Sequence, residues 1–355
     1  MKINRYDQSE DPSLRAWSAA DELLINHLES SENKPQGSLA IYNDRFGYLA
    51  CHLSGFNPEV ILHSSTQRQA IHENAKQNSL DEPKCIELTK SLDSPVNYAL
   101  IKAPKSAELL MHFLDHLHSN SSEEVEVVIG FMTRHFSSSI LKVAEGYYEE
   151  LNQSKAKKKA RLLILKKKKS LPKVDLIKSL DYEGKSFKQY LGTFSGNRID
   201  YATAFLNDHL ELKPNQTKLL DLGSGNGVIG DKLLELNPEA EIHLLDDSLL
   251  AHESGKLNLE GENIHHHWQH GLASFEDESM DLIVSNPPFH FEFEINRNIS
   301  LNLFKESLRV LRSGGELWLV FNNHLAYARQ LKTWFKEVDL IAENKKFQII
   351  KCTKP

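Results

Sequence analysis

The sequence predicts an α/β protein built from two tandem Rossmann-like domains, the first of them degenerate. Three observations carry that expectation. Short apolar strands alternate with helical stretches through the second half of the 355-residue chain. The same pattern recurs about 180 residues earlier. One glycine-rich turn, DLGSGNGVIG at 221–230, opens the second copy and has no counterpart of equal quality in the first.

The second half reads in order. KLLDL (218–222) is a short apolar strand, followed by the glycine turn and then by a helix, VIGDKLLEL, that Asn237-Pro238 ends. EIHLL (241–245) and MDLIVSN (280–286) are further strands. LNLFKESLRVLRSGG reads as a helix stopped by Gly314-Gly315, with GELWLVF (315–321) as the next strand. FQIIKC closes the chain after VDLIA. Strand, turn and helix in this order imply a parallel sheet covered on both faces.

Sliding the sequence back by 180 residues sets SLAIYNDRFGYLACHL (38–53) on KLLDLGSGNGVIGDKL (218–233). HENAKQN (72–78) falls on HESGKLN (252–258), and LIKAPK (100–105) on LIVSNPP (282–288) with three residues of slippage. A repeat of this length is a duplicated domain rather than a solenoid. The expected boundaries are 1–170 for the degenerate copy and 171–355 for the other.

Composition bounds the rest. At 40% hydrophobic and 26% charged residues the chain has ordinary globular usage, with no run long enough to span a bilayer. Three scattered cysteines suggest a reducing compartment. We expect a cytoplasmic protein, a monomer, without membrane attachment. The net charge of −7 does not favour nucleic acid overall, yet residues 155–173 carry ten basic side chains and no acid. That run is either the solvated flank of a strand, ARLLIL, or a patch that holds phosphates. His265-His266-His267 with His270 invites a metal reading. Successive strand residues point to opposite faces, and no acid or cysteine pattern completes the set, so no metal is expected. The four tryptophans sit in apolar patterns, and no hydrolase nucleophile elbow is present.

Glycine lets a ligand approach the backbone. Gly223, Gly225 and Gly227 after Asp221 give G-x-G-x-G rather than the dinucleotide spacing. This resembles the first motif of class I methyltransferases, which bind S-adenosylmethionine. An acid at such a turn suits an ammonium and a sulfonium, and would not suit a pyrophosphate. Asp246, with Asp247 as the competing choice, ends the next strand and can accept both ribose hydroxyls. Gln269 and His270 could edge the adenine. SNPPFH (285–290) follows the third strand at the carboxyl end of the sheet. The Asn286 amide oxygen and the Pro287 carbonyl can hold the two hydrogens of an exocyclic amino group, turning its lone pair toward a methyl donor. Phe289 can stack on the base. The stretch resembles the N-P-P-aromatic signature of amino methyltransferases.

With these motifs placed, nearly the whole chain resembles the bacterial ribosomal-RNA guanine-N2 methyltransferases of the RlmG and RsmC type. GTFSGNRIDYATAFLNDHL (192–210), NNHLAY (322–327), NDRFGYLACHL, KAPKSAELL and KKARLLIL add to the likeness, which leans to the large-subunit (23S) branch. The resemblance implies two tandem class I methyltransferase domains, the amino-terminal one degenerate and RNA-binding. It implies S-adenosylmethionine as cofactor and a guanine N2 of ribosomal RNA as target. It implies that Phe194 and Ser195 cover the methionine end, and that the lysine run grips RNA. The chain departs from the pattern in Ser224, where cysteine is common, and in the acidic, aromatic FHFEFEINRN. The readings to weigh against it are a small-subunit (16S) enzyme, an amino methyltransferase for a release-factor glutamine, and a non-catalytic ribosome-assembly module.

Overall fold

A computed structural model describes residues 1–6, 14–30, 37–172, 174–287, 297–325 and 327–355, with the side chains of 297–299 set aside. The chain divides into two compact units, Met1–Leu176 and Ile177–Pro355.

The first unit runs α1 (Ala19–Ser30), β1 (Leu39–Tyr42), α2 (Tyr48–His52), β2 (Glu59–Leu62), α3 (Ser65–Gln77), β3 (Lys84–Glu87), β4 (Val96–Lys102), α4 (Ala107–Ser119), β5 (Ser121–Met132), α5 (Ser138–Tyr147), β6 (Tyr148–Gln153) and β7 (Ala160–Lys168). Its sheet order is β3-β2-β1-β4-β5-β7-β6. The second unit opens with a hairpin, β8 (Ile177–Tyr182) and β9 (Lys185–Tyr190), then α6 (Tyr201–Asn207), β10 (Lys218–Leu222), α7 (Val228–Leu236), β11 (Glu241–Asp246), α8 (Leu249–Lys256), β12 (Ile264–Trp268), β13 (Met280–Ser285), α9 (Arg297–Val310), β14 (Leu311–Asn322), α10 (Ala328–Trp334), β15 (Glu337–Glu343) and β16 (Phe347–Thr353). Its order, β12-β11-β10-β13-β14-β16-β15, is that of the first sheet element for element. The expected pair of class I folds is therefore present.

The likeness extends to single residues. Gly47 and Gly227, 180 apart, both precede their helices in the left-handed region, at φ 75° and 86°. Ser64 and Ser248 both cap the helix after the second strand, accepting from Gln67 N–H and Ala251 N–H. Asn43 stands at the position of Gly223 and keeps a positive φ of 60°, which asparagine tolerates better than most residues. Its side chain then closes the turn: Asn43 Nδ2 donates to Lys102 O, and Oδ1 meets His63 Nε2. Leu62 stands two residues before its capping serine, where Asp246 stands before Ser248. The first unit has thus kept the frame and filled the turn.

Two expectations are corrected. The sheets are mixed rather than parallel, because the last two strands of each run antiparallel to their neighbours. In the second unit, α9 ends at Val310, and Gly314-Gly315 lie inside β14. The pairing of β13 with β14 shifts register between Met280↔Leu311 and Leu282↔Glu316, so the glycines absorb an irregularity of the strand instead of ending the helix.

The strand residues alternate between two cores. Leu220, Ile283, Leu317 and Leu319 pack under Phe304 and Leu331 of α9 and α10. Leu219, Leu282, Val284 and Val320 pack under Leu206 of α6 and Leu233 of α7. All twelve side chains are fully buried, so the sheet is rigid and its carboxyl edge is a fixed platform. Trp318 belongs to the second of these cores, as a packing role requires.

Candidate active site

The site lies in the second unit, where β10 and β13 end beside the amino end of α6. Five residues bridge β10 to α7, and three of them are glycines with positive φ: Gly223 (80°), Gly225 (56°) and Gly227 (86°). The turn is tied to the next strand, since Gly223 N–H and Ser224 N–H both donate to Leu245 O. Gly223 and Gly225 line an open cleft at the carboxyl edge of the sheet, together with Asn286, Asp200 and Thr203. A Cβ at Gly225 would meet no atom within 4 Å and would project into that space. Gly227 is not a lining residue. A Cβ there would stand 3.0 Å from Leu259 and 3.3 Å from Leu244, so this glycine lets α7 pack closely on β11.

Both acids sit below the turn. Asp221 is wholly buried and accepts from Gly230 N–H (3.0 Å), fastening the first turn of α7. It is not among the cleft-lining residues, and its bond to Gly230 N–H holds the turn from beneath. Burial raises its carboxyl to about 8, against the opposing bond from Gly230, and its Oδ1 has no hydrogen-bond partner among the described residues. The first unit does the same with a different residue: Asp44 accepts from Ala50 N–H (2.7 Å), and Ala50 lies 180 residues before Gly230. Asp246 closes β11. Its Oδ2 accepts from Gly225 N–H (2.9 Å) and its Oδ1 from Ser248 N–H (2.8 Å). Burial lifts it to about 6, although these backbone donors pull the other way.

Gln269 extends from the end of β12, its N–H donating to Asp246 O (3.1 Å). Its side chain is engaged by Ser274 and Gly271 O, and it is not a cleft-lining residue. Phe194, 72% exposed, and Ser195 do line the cleft, together with Arg198 of the same loop. Ser195 has φ 62° and donates from Oγ to Arg198 O.

Asn286 reaches the same cleft from the end of β13. Its Nδ2 donates to Asp200 Oδ2 (3.1 Å) and to Thr203 Oγ1 (3.0 Å). A carboxylate only accepts, which fixes the amide: nitrogen toward α6, oxygen available to a ligand. Asp200 is itself held as the cap of α6, its side chain accepting from Ala202 N–H and Thr203 N–H. Pro287 is buried beside Asn286. Pro288 and Phe289 lie outside the described residues.

Sequence reasoning missed Gln189, Asp200 and Thr203. Gln189 Oε1 accepts from Asn226 Nδ2 (2.9 Å), which anchors β9 to the glycine turn. Asp200 offered a signal, an acid directly before a helical stretch, but its pairing with a residue 86 positions away did not. The lysine run also looks different in three dimensions. Lys166, Lys167 and Lys168 pair with Glu126, Glu150 and Glu123, while Lys155, Lys157 and Lys159 are exposed around the β6–β7 turn. Lys173 lies outside the described residues. Among the described residues no helix is long and apolar enough to cross a membrane.

Comparison with known proteins follows this division of the chain. Residues 1–170 match the RLMG N-terminal domain and residues 184–351 the methyltransferase small domain. A ribosomal RNA large subunit methyltransferase G from Photobacterium profundum is 34% identical, covering 100% of this chain and 97% of its own length. One from Streptomyces coelicolor is 31% identical over 99% and 97%. The solved T. thermophilus 16S rRNA N2 methyltransferase RsmC, in complex with AdoMet and guanosine, superposes with a TM-score of 0.77 at 20% identity, covering 97% of this chain and 94% of that one.

Proposed function

The chain belongs to the ribosomal RNA large subunit methyltransferase G family, and from that membership we propose that it methylates the exocyclic N2 of a guanine in 23S rRNA, using S-adenosylmethionine. The observation that supports the chemistry is the Asn286 amide, its nitrogen bound by Asp200 and Thr203, which leaves its oxygen for a ligand in the cleft that Asn286 and the glycine turn both line.

The residues fit the cofactor. Gly223 and Gly225 give it a backbone wall without side chains, and Asp246, pinned by two backbone donors, offers its carboxylate to the ribose hydroxyls. Gln269 at the end of β12 borders the adenine, while Phe194 and Ser195 cover the methionine end. Asp221 and Gly227 serve by holding the turn. When bound, S-adenosylmethionine supplies the sulfonium methyl. The Asn286 oxygen and the Pro287 carbonyl accept the two N2 hydrogens of the guanine, and Phe289 stacks on its ring. An aryl amine is a weak nucleophile because its lone pair is delocalised into the base. Accepting hydrogen bonds from both N–H groups would direct that lone pair at the methyl, so the protein's contribution is alignment, no side chain need be covalently engaged, and the proton that the nitrogen loses on methylation would pass to solvent. The guanine must leave any stack to reach the cleft. The inert first unit, 1–170, and its lysine run hold the surrounding RNA. The chain acts as a monomer in the cytoplasm, where ribosomal RNA is modified.

The test is transfer of labelled methyl to unmodified 23S and 16S rRNA, followed by nucleoside analysis. The expected product is N2-methylguanosine in 23S rRNA. Label found only in 16S rRNA, at N6 of adenine or on protein would refute the assignment.

A further inference from the structure

One histidine of the β12 tract does lie beside an acid once the sheet forms. Parallel pairing places His243 of β11 directly beside His265 of β12. Glu241 lies two residues before His243 and so on the same face of the sheet. Glu241 Oε1 is 3.1 Å from His243 Nε2 and 3.4 Å from His265 Nε2, and one ligand atom from each of the three lies within 4.8 Å of the others. Ligands of one tetrahedral metal stand about 3.3 Å apart when each is about 2.0 Å from it. Two of these three separations already have that value.

We propose that Glu241, His243 and His265 bind a divalent transition metal of the zinc class, at the sheet edge remote from the methyl-transfer cleft. Two imidazoles and one carboxylate make a borderline-soft donor set that favours zinc and its neighbours over magnesium or calcium. An open fourth position goes to water. The surroundings support the first shell. His243 Nδ1 is 2.9 Å from His267 Nε2, so when Nε2 ligates, Nδ1–H donates to His267 and fixes the ring. Lys218 Nζ sits 3.2 Å from the acid's other oxygen, Oε2, which leaves Oε1 for the metal. Two features weaken the site. The Lys218 charge opposes a dication. The His243 and His265 rings lie 4.8 Å apart and 29° from parallel, so His265, 40% exposed, must tilt for both nitrogens to share one ion. The metal then staples the edge strand β12 to β11. β12 ends at Trp268 and β11 at Asp246, and Gln269, just past β12, donates its N–H to Asp246 O, so the staple holds these two strand ends from their far side.

The test uses the untagged full chain, titrated with zinc chloride alone against a competing chromophoric chelator, with thermal unfolding read in parallel. One zinc per chain should bind at micromolar concentration and raise the unfolding midpoint, while magnesium at millimolar concentration leaves it unchanged. His265→Asn, at a half-buried position, should weaken zinc binding at least tenfold and remove the thermal shift, while its circular dichroism and S-adenosylmethionine affinity match the parent. Glu241→Gln should act in the same direction. Failure of the parent to bind one equivalent, or undiminished binding by the correctly folded His265→Asn variant, would overturn the assignment.

Discussion

Asn286 and its two anchors separate orientation from mere presence. If the Asn286 oxygen aligns the amine, Asn286→Ala should lower kcat by about 100-fold, the scale of losing one preorganised polar contact at a reacting centre. Its S-adenosylmethionine affinity, measured by calorimetry, should stay at the parent value. Asp200→Asn tests the anchoring more finely. It retains a helix-capping oxygen but offers an NH2 as well, so the Asn286 amide can turn over. A fall in kcat of about tenfold with intact cofactor binding is expected, and an unchanged kcat would remove Asp200 from the positioning chain. Asp246 makes a pH prediction with a definite sign. Its folded carboxyl is raised by burial to about 6, and its ionised form is the better acceptor for two hydroxyls. Cofactor affinity should therefore weaken as pH falls through 6 and be flat above 7. Asp246→Asn should flatten that profile and weaken binding by about 1.5–3 kcal/mol, the worth of hydrogen bonds to a charged group. Asp221 carries the opposite consequence for stability. Its folded value of about 8 exceeds that of an unfolded aspartate, so the folded state retains a proton that the unfolded state has released. The chain should lose stability as pH rises from about 4 toward 8, and Asp221→Asn should remove that slope in thermal unfolding.

The helix α7 shows how one element serves packing and site together. Gly227 ends the turn at φ 86°, and its missing Cβ lets α7 lie against Leu244 of β11 and against Leu259. Gly227→Ala adds a left-handed penalty of about 1–2 kcal/mol, plus the displacement of Leu259. The expected result is a lower denaturant midpoint and weaker cofactor binding, since Asp246 closes the strand that α7 presses on. This element was legible in the sequence: a short apolar strand, spaced glycines and an Asn-Pro stop are local signals, and β10, α7, β11 and β13 follow from them. The α9–β14 junction was not, because Gly-Gly usually marks a helix end and only the register of β13 shows that it bends a strand here. The β8–β9 hairpin, turning through Glu183 and Gly184 at positive φ, was passed over because its strands are polar. Within the site, the glycines, Asp246 and Asn286 announce themselves by motif. The Asp200–Asn286 and Gln189–Asn226 contacts join segments that only the closed fold brings together.

At the scale of the whole molecule, a chain of net charge −7 has to grip a polyanion, so the charge must be sorted locally rather than summed. The sequence points to residues 155–173 as one basic block, but the fold divides the block in two. Lys166, Lys167 and Lys168 already face glutamates at 2.5, 2.5 and 3.5 Å. Such surface pairs are worth about 0–1 kcal/mol, yet each must be given up before a phosphate takes the lysine. Lys155, Lys157 and Lys159, exposed at the tip of the β6–β7 hairpin, have no carboxylate partner among the described residues and carry no such cost. If the first unit holds RNA through this tip, reversing all three to glutamate should weaken binding of the full chain to 23S rRNA. The slope of log K against log salt should become shallower by roughly 2, because a neutralised phosphate on single-stranded RNA contributes about 0.7. Reversing Lys166 and Lys167 instead should change the slope less and cost stability through contact with Glu126 and Glu150. Cofactor affinity, which belongs to the second unit, should be the same in both variants. A slope that does not respond to the tip would remove this hairpin from the RNA-binding surface and leave the role proposed for Asn286 unaffected.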